Sequence, residues 1–202
     1  MPNDSIRRRP GERLPPIQFT DLHGRTVDLA GSRLVHLQFR RFAGCPVCNL
    51  HVQSFARGYQ QLRDAGVQTV AFFHSTSAEM MPYQGKLPFP CVPDAQRRWY
   101  RYFGVERSLT AVLHPRVVGA ALKGLLTAPS NPFVGGSDQT GLPADLLVDR
   151  FNTIVAVRYG SHADDQWSVD DVLALAATAL EPGAAGESTG GSNSSRTAAL
   201  ES

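Results

Sequence analysis

The chain opens its regular patterning with two short alternating segments, residues 17–20 and 26–29, separated by Asp21-Leu22-His23-Gly24-Arg25. Alternation on both sides of a turn-forming run predicts an N-terminal β-hairpin. Residues 34–39 form the next apolar run and read as a strand. From residue 46 to 65 the period changes: Val47, Leu50, Phe55, Tyr59 and Leu62 recur at helical spacing, and Gly66 ends the helix. Residues 67–73, rich in Val and Phe, are a second strand, followed by a helical turn over 77–83. A short strand over 89–92 and a helix over 95–103, with Trp99, Tyr100 and Phe103 turned inward, come next.

Residues 109–126 read as a further helix, with Pro115 shifting its start or kinking it. Residues 127–141 form a Pro/Gly/Ser/Asn loop. Segments 144–148 and 154–157 pair around Asp149-Arg150-Phe151-Asn152, where Asn tolerates a left-handed turn. Ser168 caps a last helix over 169–180, whose Val172, Leu173, Ala176 and Leu180 share one face. Strands alternating with helices and closed by an antiparallel hairpin predict an α/β fold, a mixed sheet flanked by helices. Residues 1–12 read as a loose arm and 182–202 as a disordered tail around one domain spanning 13–181.

Charge and composition narrow the function classes. A net charge of +2 in 202 residues gives no argument for nucleic acid or an anionic membrane. Arg7-Arg8-Arg9 reads as a solvated basic arm. No apolar leader opens the chain, and residues 111–128 carry Arg116 and Lys123, too polar for a span. Three cysteines are too few for a secreted disulfide framework and suit a cytoplasmic protein.

Two of them, in Gly44-Cys45-Pro46-Val47-Cys48, stand where the strand stops and the helix starts. A thiol there feels the positive end of the helix dipole, which favours the reactive thiolate. Pro46 suits the first helical turn. The spacing puts both sulfurs on one face, within reach of a disulfide. A redox dithiol is one reading; a structural zinc site using Cys45, Cys48, His51 and Cys91 is another, although no second tight ligand pair completes it. Arg40 and Arg41 precede the dithiol, either as a thiolate-stabilising pair or as a solvated strand end. His74, at the end of the next strand, falls at the same sheet edge, either tuning a thiol or hydrogen-bonded in place. Cys91 reads as a buried small hydrophobe.

The stretches PPIQFTDLHGRTVDL, LVHLQFRRFAGCPVC, FPCVPDAQRRWYRYFGV and LPADLLVDRFNTIVAV, in this order, resemble the peroxiredoxin-like (AhpC/TSA) branch of the thioredoxin-fold superfamily. The resemblance runs over about residues 15–180. It implies a thioredoxin-like fold and a thiol oxidoreductase that reduces peroxides or disulfides without a bound cofactor. It implies Cys45 as the attacking thiolate, Cys48 as the resolving thiol, and Pro143 as a cis-proline facing them. The longer gap before Pro143 implies that the inserted helix and loop cover the site. The reductant it implies is thioredoxin, glutathione or another low-molecular-weight thiol, and homodimers are common among such proteins. Typical members carry a Pro and a Thr or Ser seven and three residues before the peroxidatic cysteine; counted from Cys45, those places hold Gln38 and Phe42. The CxxC leaves a thioredoxin-type disulfide reductase and a non-catalytic zinc-binding or redox-sensing module as alternatives.

Overall fold

The computed structural model describes residues 7–29, 31–105, 123 and 141–181. Strands β1 (Gln18–Thr20) and β2 (Thr26–Asp28) form the expected hairpin. The main sheet has five strands in the order β5-β4-β3-β6-β7. These are β3 (Leu34–Phe39), β4 (Val67–Phe73), β5 (Cys91–Pro93), β6 (Ala144–Asp149) and β7 (Ile154–Tyr159). β3 and β4 are parallel, as are β4 and β5, whereas β6 runs antiparallel to both β3 and β7. The helices are α1 (Pro46–Arg57), α2 (Tyr59–Asp64), α3 (Ser77–Gln84), α4 (Arg98–Tyr102) and α5 (Val169–Leu180).

Each sheet face has its own core. On one face Leu34, Leu147, Phe55, Leu62, Trp167 and Val172 pack the strands against the helices. On the other, Val35, Leu37, Phe39, Phe72 and Leu146 meet Phe19 of the hairpin and Tyr100 and Phe103 at α4. The rings of Phe39 and Phe72 stack at 4.5 Å there. β3 is therefore buried on both sides, as a central strand must be.

Five expectations are corrected. The single helix over 46–65 is two, broken at Gly58, where a Cβ would stand 2.9 Å from Val169 Cγ1 at the start of α5. A side chain at that point would push α5 off the sheet. The strand over 89–92 begins two residues later, and the helix over 95–103 is shortened to α4 because the Asp94 carboxylate takes the backbone N–H groups of Arg98, Trp99 and Tyr100.

The arm is anchored from residue 7 onward. Arg8 N–H donates to Tyr159 Oη at 2.8 Å, and its guanidinium covers the Tyr102 ring and donates to the Tyr102 carbonyl. Arg7 lies over the Tyr159 ring, and Gly11 and Leu14 bond the β7 turn through the carbonyls of Ile154 and Asn152. A basic run looks solvated in sequence, but guanidinium planes find aromatic faces here. The fifth correction is that Leu142–Pro143 is not cis, since no described peptide bond is. The Pro143 carbonyl instead takes the Gly160 N–H at 2.9 Å and feeds β6 directly from an extended approach. The helix over 109–126, the loop over 127–140 and the tail over 182–202 lie outside the described residues, apart from Lys123.

Five polar side chains on the α1 side of the sheet form a buried cluster. Asp145, opposite Gln38 in register, receives Arg40 Nη2 at 2.6 Å, His36 Nε2 at 2.9 Å and the Trp167 N–H at 3.2 Å. Arg40 also bonds Gln38 Oε1 at 3.1 Å and His51 Nε2, on α1, at 3.0 Å. Burial alone would raise Asp145, but the Arg40 charge and the His36 bond outweigh it and hold its carboxyl well below the usual range. Burial, only partly countered by Asp145, lowers His36, and burial with the Arg40 charge lowers His51.

Both histidines are thus neutral in the fold yet bind protons in the unfolded chain below about pH 6.5. Stability is expected to fall as pH drops through that value, and again below about pH 4 as the unfolded chain's carboxylates protonate. Asp145→Ala strands the Arg40 charge and is expected to cost about 3–5 kcal/mol. Denaturant titrations at several pH values check both; a flat profile between pH 7 and 5 would contradict the first.

Candidate functional site

α1 begins where β3 ends, and Cys45 is its N-cap. Its backbone is extended (φ −61°, ψ 117°), its sulfur accepts the Cys48 N–H at 3.3 Å, and Pro46 occupies the first turn. A sulfur in the place of a capping oxygen receives an otherwise unpaired helix donor. The loop ahead of it is held on three sides. Ser75 Oγ accepts the Ala43 N–H at 3.0 Å, and the Ala43 carbonyl accepts from Asn49 Nδ2 at 2.8 Å and Gln84 Nε2 at 3.0 Å.

Arg41 joins the two sulfurs. Its backbone N–H donates to Cys48 Sγ at 3.4 Å and its Nη2 to Cys45 Sγ at 3.0 Å. Both cysteines are free thiols, Cys45 fully buried and Cys48 2% exposed. Arg40 and Arg41, adjacent in sequence, do different work. Arg40, 0% exposed, belongs to the Asp145 cluster and Arg41, 4% exposed, to the sulfurs. Neither is the solvated strand end that two adjacent arginines suggest.

The two thiols share one negative charge. Burial raises Cys45, and the bond to Cys48 with its charge raises it further, beyond what Arg41 offsets. Burial would raise Cys48 too, but the hydrogen bond from Cys45, the Arg41 charge and the Arg41 N–H outweigh it and bring Cys48 below the ordinary thiol value. The resemblance names Cys45 as the attacking thiolate, whereas the surroundings of the two sulfurs push the Cys45 thiol up and the Cys48 thiol down.

His74 sits at the same sheet edge, as expected. Its N–H donates to the Arg41 carbonyl at 3.2 Å, and Arg97 Nη2 stands 3.3 Å from its Nδ1. Arg97, which sequence reading passed over, is buried in the left-handed region at φ 54°. Gly141 approaches here: a Cβ on it would stand 3.4 Å from Arg41 Cγ and 3.4 Å from His74 Nε2, so a bulkier residue would press on the site. Tyr100 was expected only as core. Its hydroxyl lies between the carbonyls of Arg40 and Phe72 and steadies the strand end that carries Arg41. Pro143, trans, immediately precedes β6. Cys91 is buried on β5, raised by burial and by the Asp21 charge, and stays a packed thiol.

Among the described residues no group of three or more His, Cys, Asp or Glu side chains is placed to hold a metal, and no helix is long and apolar enough to cross a membrane. A cavity of about 690 Å³ lies at the opposite end of the sheet among Arg25, Tyr59, Arg63 and Gln68.

A family model of the AhpC/TSA family matches residues 10–157. The chain belongs to the AhpC/TSA family. Solved structures agree in fold. A peroxidoxin BcpB from Mycobacterium tuberculosis aligns with TM-score 0.62 at 16% identity, over 84% of this chain and 96% of that one. A reduced 2-Cys peroxiredoxin from Plasmodium vivax gives 0.59 at 12%, over 83% and 79%. Peroxiredoxin 6 of Arenicola marina gives 0.60 at 13%, over 85% and 73%. No curated protein sequence matches. The thioredoxin-like fold is thereby shown, and family membership supports a thiol-dependent redox function.

Removing the shared cation tests the electrostatics. Arg41→Met is expected to raise the Cys48 pKa toward the free-thiol value of about 8.5, read from the pH dependence of iodoacetamide alkylation. An unchanged profile would show that Arg41 does not hold the charge.

Proposed function

We propose that this AhpC/TSA-family protein is a thiol peroxidase in which Cys48 attacks the peroxide and Cys45 resolves the product. The observation that carries this reading is the Arg41 clamp, which gives one sulfur a backbone donor and the other a guanidinium and so maintains a single thiolate between them. Counted from Cys48 rather than Cys45, the two places where typical members carry Pro and Thr or Ser hold Arg41, whose N–H reaches the Cys48 sulfur, and Cys45, whose sulfur takes the Cys48 N–H. Burial of both sulfurs favours a small oxidant such as hydrogen peroxide over a bulky protein disulfide.

The Cys48 thiolate attacks a peroxide oxygen and becomes a sulfenic acid, which Cys45 condenses to a disulfide. A thioredoxin-type protein or a low-molecular-weight thiol then restores the dithiol by exchange. A second reading, disulfide exchange without peroxidase activity, is favoured by the CxxC itself, because sulfurs one helical turn apart suit resolution of a mixed disulfide.

Rapid quench of reduced protein with one equivalent of hydrogen peroxide, followed by mass spectrometry, separates the two. Peroxidase function is expected to give the Cys45–Cys48 disulfide orders of magnitude faster than a free thiol oxidises, and Cys48→Ser is expected to abolish it. Oxidation at the ordinary thiol rate would move the assignment to disulfide exchange.

A further inference from the structure

We infer that the cavity at the far end of the sheet from the dithiol is a binding site for a nucleoside phosphate. It lies at the N-terminal ends of β3 and β4, a six-residue strand or about 20 Å away from the cysteines, and takes no part in their chemistry. Its volume of about 690 Å³ is extended by an adjoining cavity of about 240 Å³. The two share Gly31, Ser32, Arg63 and Gln68. Together they have the size of a small-molecule site, roughly 300–1,000 Å³.

Three kinds of group line it. The first is a pair of cations, Arg33 ahead of β3 and Arg63 on α2. Arg25, in the same lining, is already neutralised by Asp21 at 2.7 Å. Among the described residues Arg33 and Arg63 have no ion pair and no side-chain hydrogen bond. Arg33 is nevertheless held in place by its stem. Gly66, at φ +78°, packs so closely on it that a Cβ there would stand 3.1 Å from Arg33 Cδ. Two planar guanidiniums lining one cavity suit a phosphate, whose terminal oxygens can fill both forks.

The second is an apolar wall. Tyr59 lies one helical turn before Arg63 on α2, so their side chains share a face. The Tyr59 ring stands 6.2 Å from that of Phe89, and Pro88 and Pro90 flank Phe89 in the lining. A planar base finds an aromatic surface there.

The third is polar and specifies what joins base to phosphate. Ser32 Oγ donates to Gln68 Oε1 at 2.8 Å, which orients the amide and leaves its NH₂ hydrogens to give. Asp28, exposed on β2, brings a carboxylate with no ion pair among the described residues. That carboxylate repels a bare phosphate but accepts the hydroxyls of a ribose. Cations, carboxylate and aromatic wall in one cavity thus select a phosphate that carries a sugar and a base.

Calorimetric titration of the full reduced chain tests the assignment with four probes. These are adenosine 5′-monophosphate, adenosine, inorganic phosphate, and L-tyrosine, which pairs a ring with a carboxylate. The nucleotide is expected to bind about tenfold or more tightly than each of the other three. Arg33→Gln and Arg63→Gln, both at exposed positions, are each expected to weaken it about tenfold, the loss of a charge-assisted hydrogen bond. Amide chemical-shift changes on nucleotide addition are expected around Asp28, Arg63 and Phe89.

No nucleotide binding, equal affinity for inorganic phosphate, or tighter binding of L-tyrosine would overturn the inference. Nucleotide affinity unchanged in the double arginine variant, or shifts confined to the dithiol end, would overturn it too. Disulfide formation with hydrogen peroxide is expected to keep its native rate in both arginine variants, so this site and the peroxidase reading stand or fall separately.

Discussion

The buried ion pair between Arg40 and Asp145 is the constraint on which the rest of this molecule depends. It joins the end of β3 to β6 in the middle of the sheet and reaches α1 through His51. A charge with no exposed surface is tolerated only with a partner and a full set of bonds, and Asp145 supplies both. Fixing Arg40 fixes the next residue, so Arg41 leaves the strand at one angle and meets both sulfurs. The same strand end is held from the opposite face by Tyr100. Packing on both faces of the sheet thereby converges on the placement of one guanidinium.

Two adjacent arginines divide the labour. One is spent on architecture and the other on chemistry, and neither role suits lysine, whose single ammonium cannot span several acceptors in a fixed plane. Arg41 makes the dithiol asymmetric: one sulfur ionises readily and the other resists. Such splitting is characteristic of sites in which two similar groups perform different tasks. The N-cap geometry adds to it, since the Cys45 sulfur takes the Cys48 N–H of the helix's first turn.

Much of the fold was legible in the chain. Residues 34–39, 67–73 and 169–180 have unbroken periodicity and coincide with β3, β4 and α5. Asn152 does take a left-handed turn at φ 62°, and Ser168 does cap α5. What escaped depended on contacts distant in sequence. The break at Gly58 follows from Val169, and the anchored arm from Tyr102 and Tyr159. At the site, the CxxC, Arg41 and His74 were visible as residue types at a sheet edge. The polarity of the dithiol was not, because it depends on the donors each sulfur meets, the Arg41 N–H at Cys48 and the Arg41 guanidinium with the Cys48 N–H at Cys45. His36, Gln38 and Asp145 gave a hint in retrospect, being polar residues at strand positions that a central sheet must bury.

Ultraviolet titration of thiolate in the fully reduced protein tests the central claim most directly, with Cys48→Ser and Cys45→Ser alongside. The account predicts one thiolate forming below the free-thiol range, lost in Cys48→Ser and retained in Cys45→Ser. Two ionisations near the ordinary thiol value, or an early thiolate that survives replacement of Cys48, would contradict it.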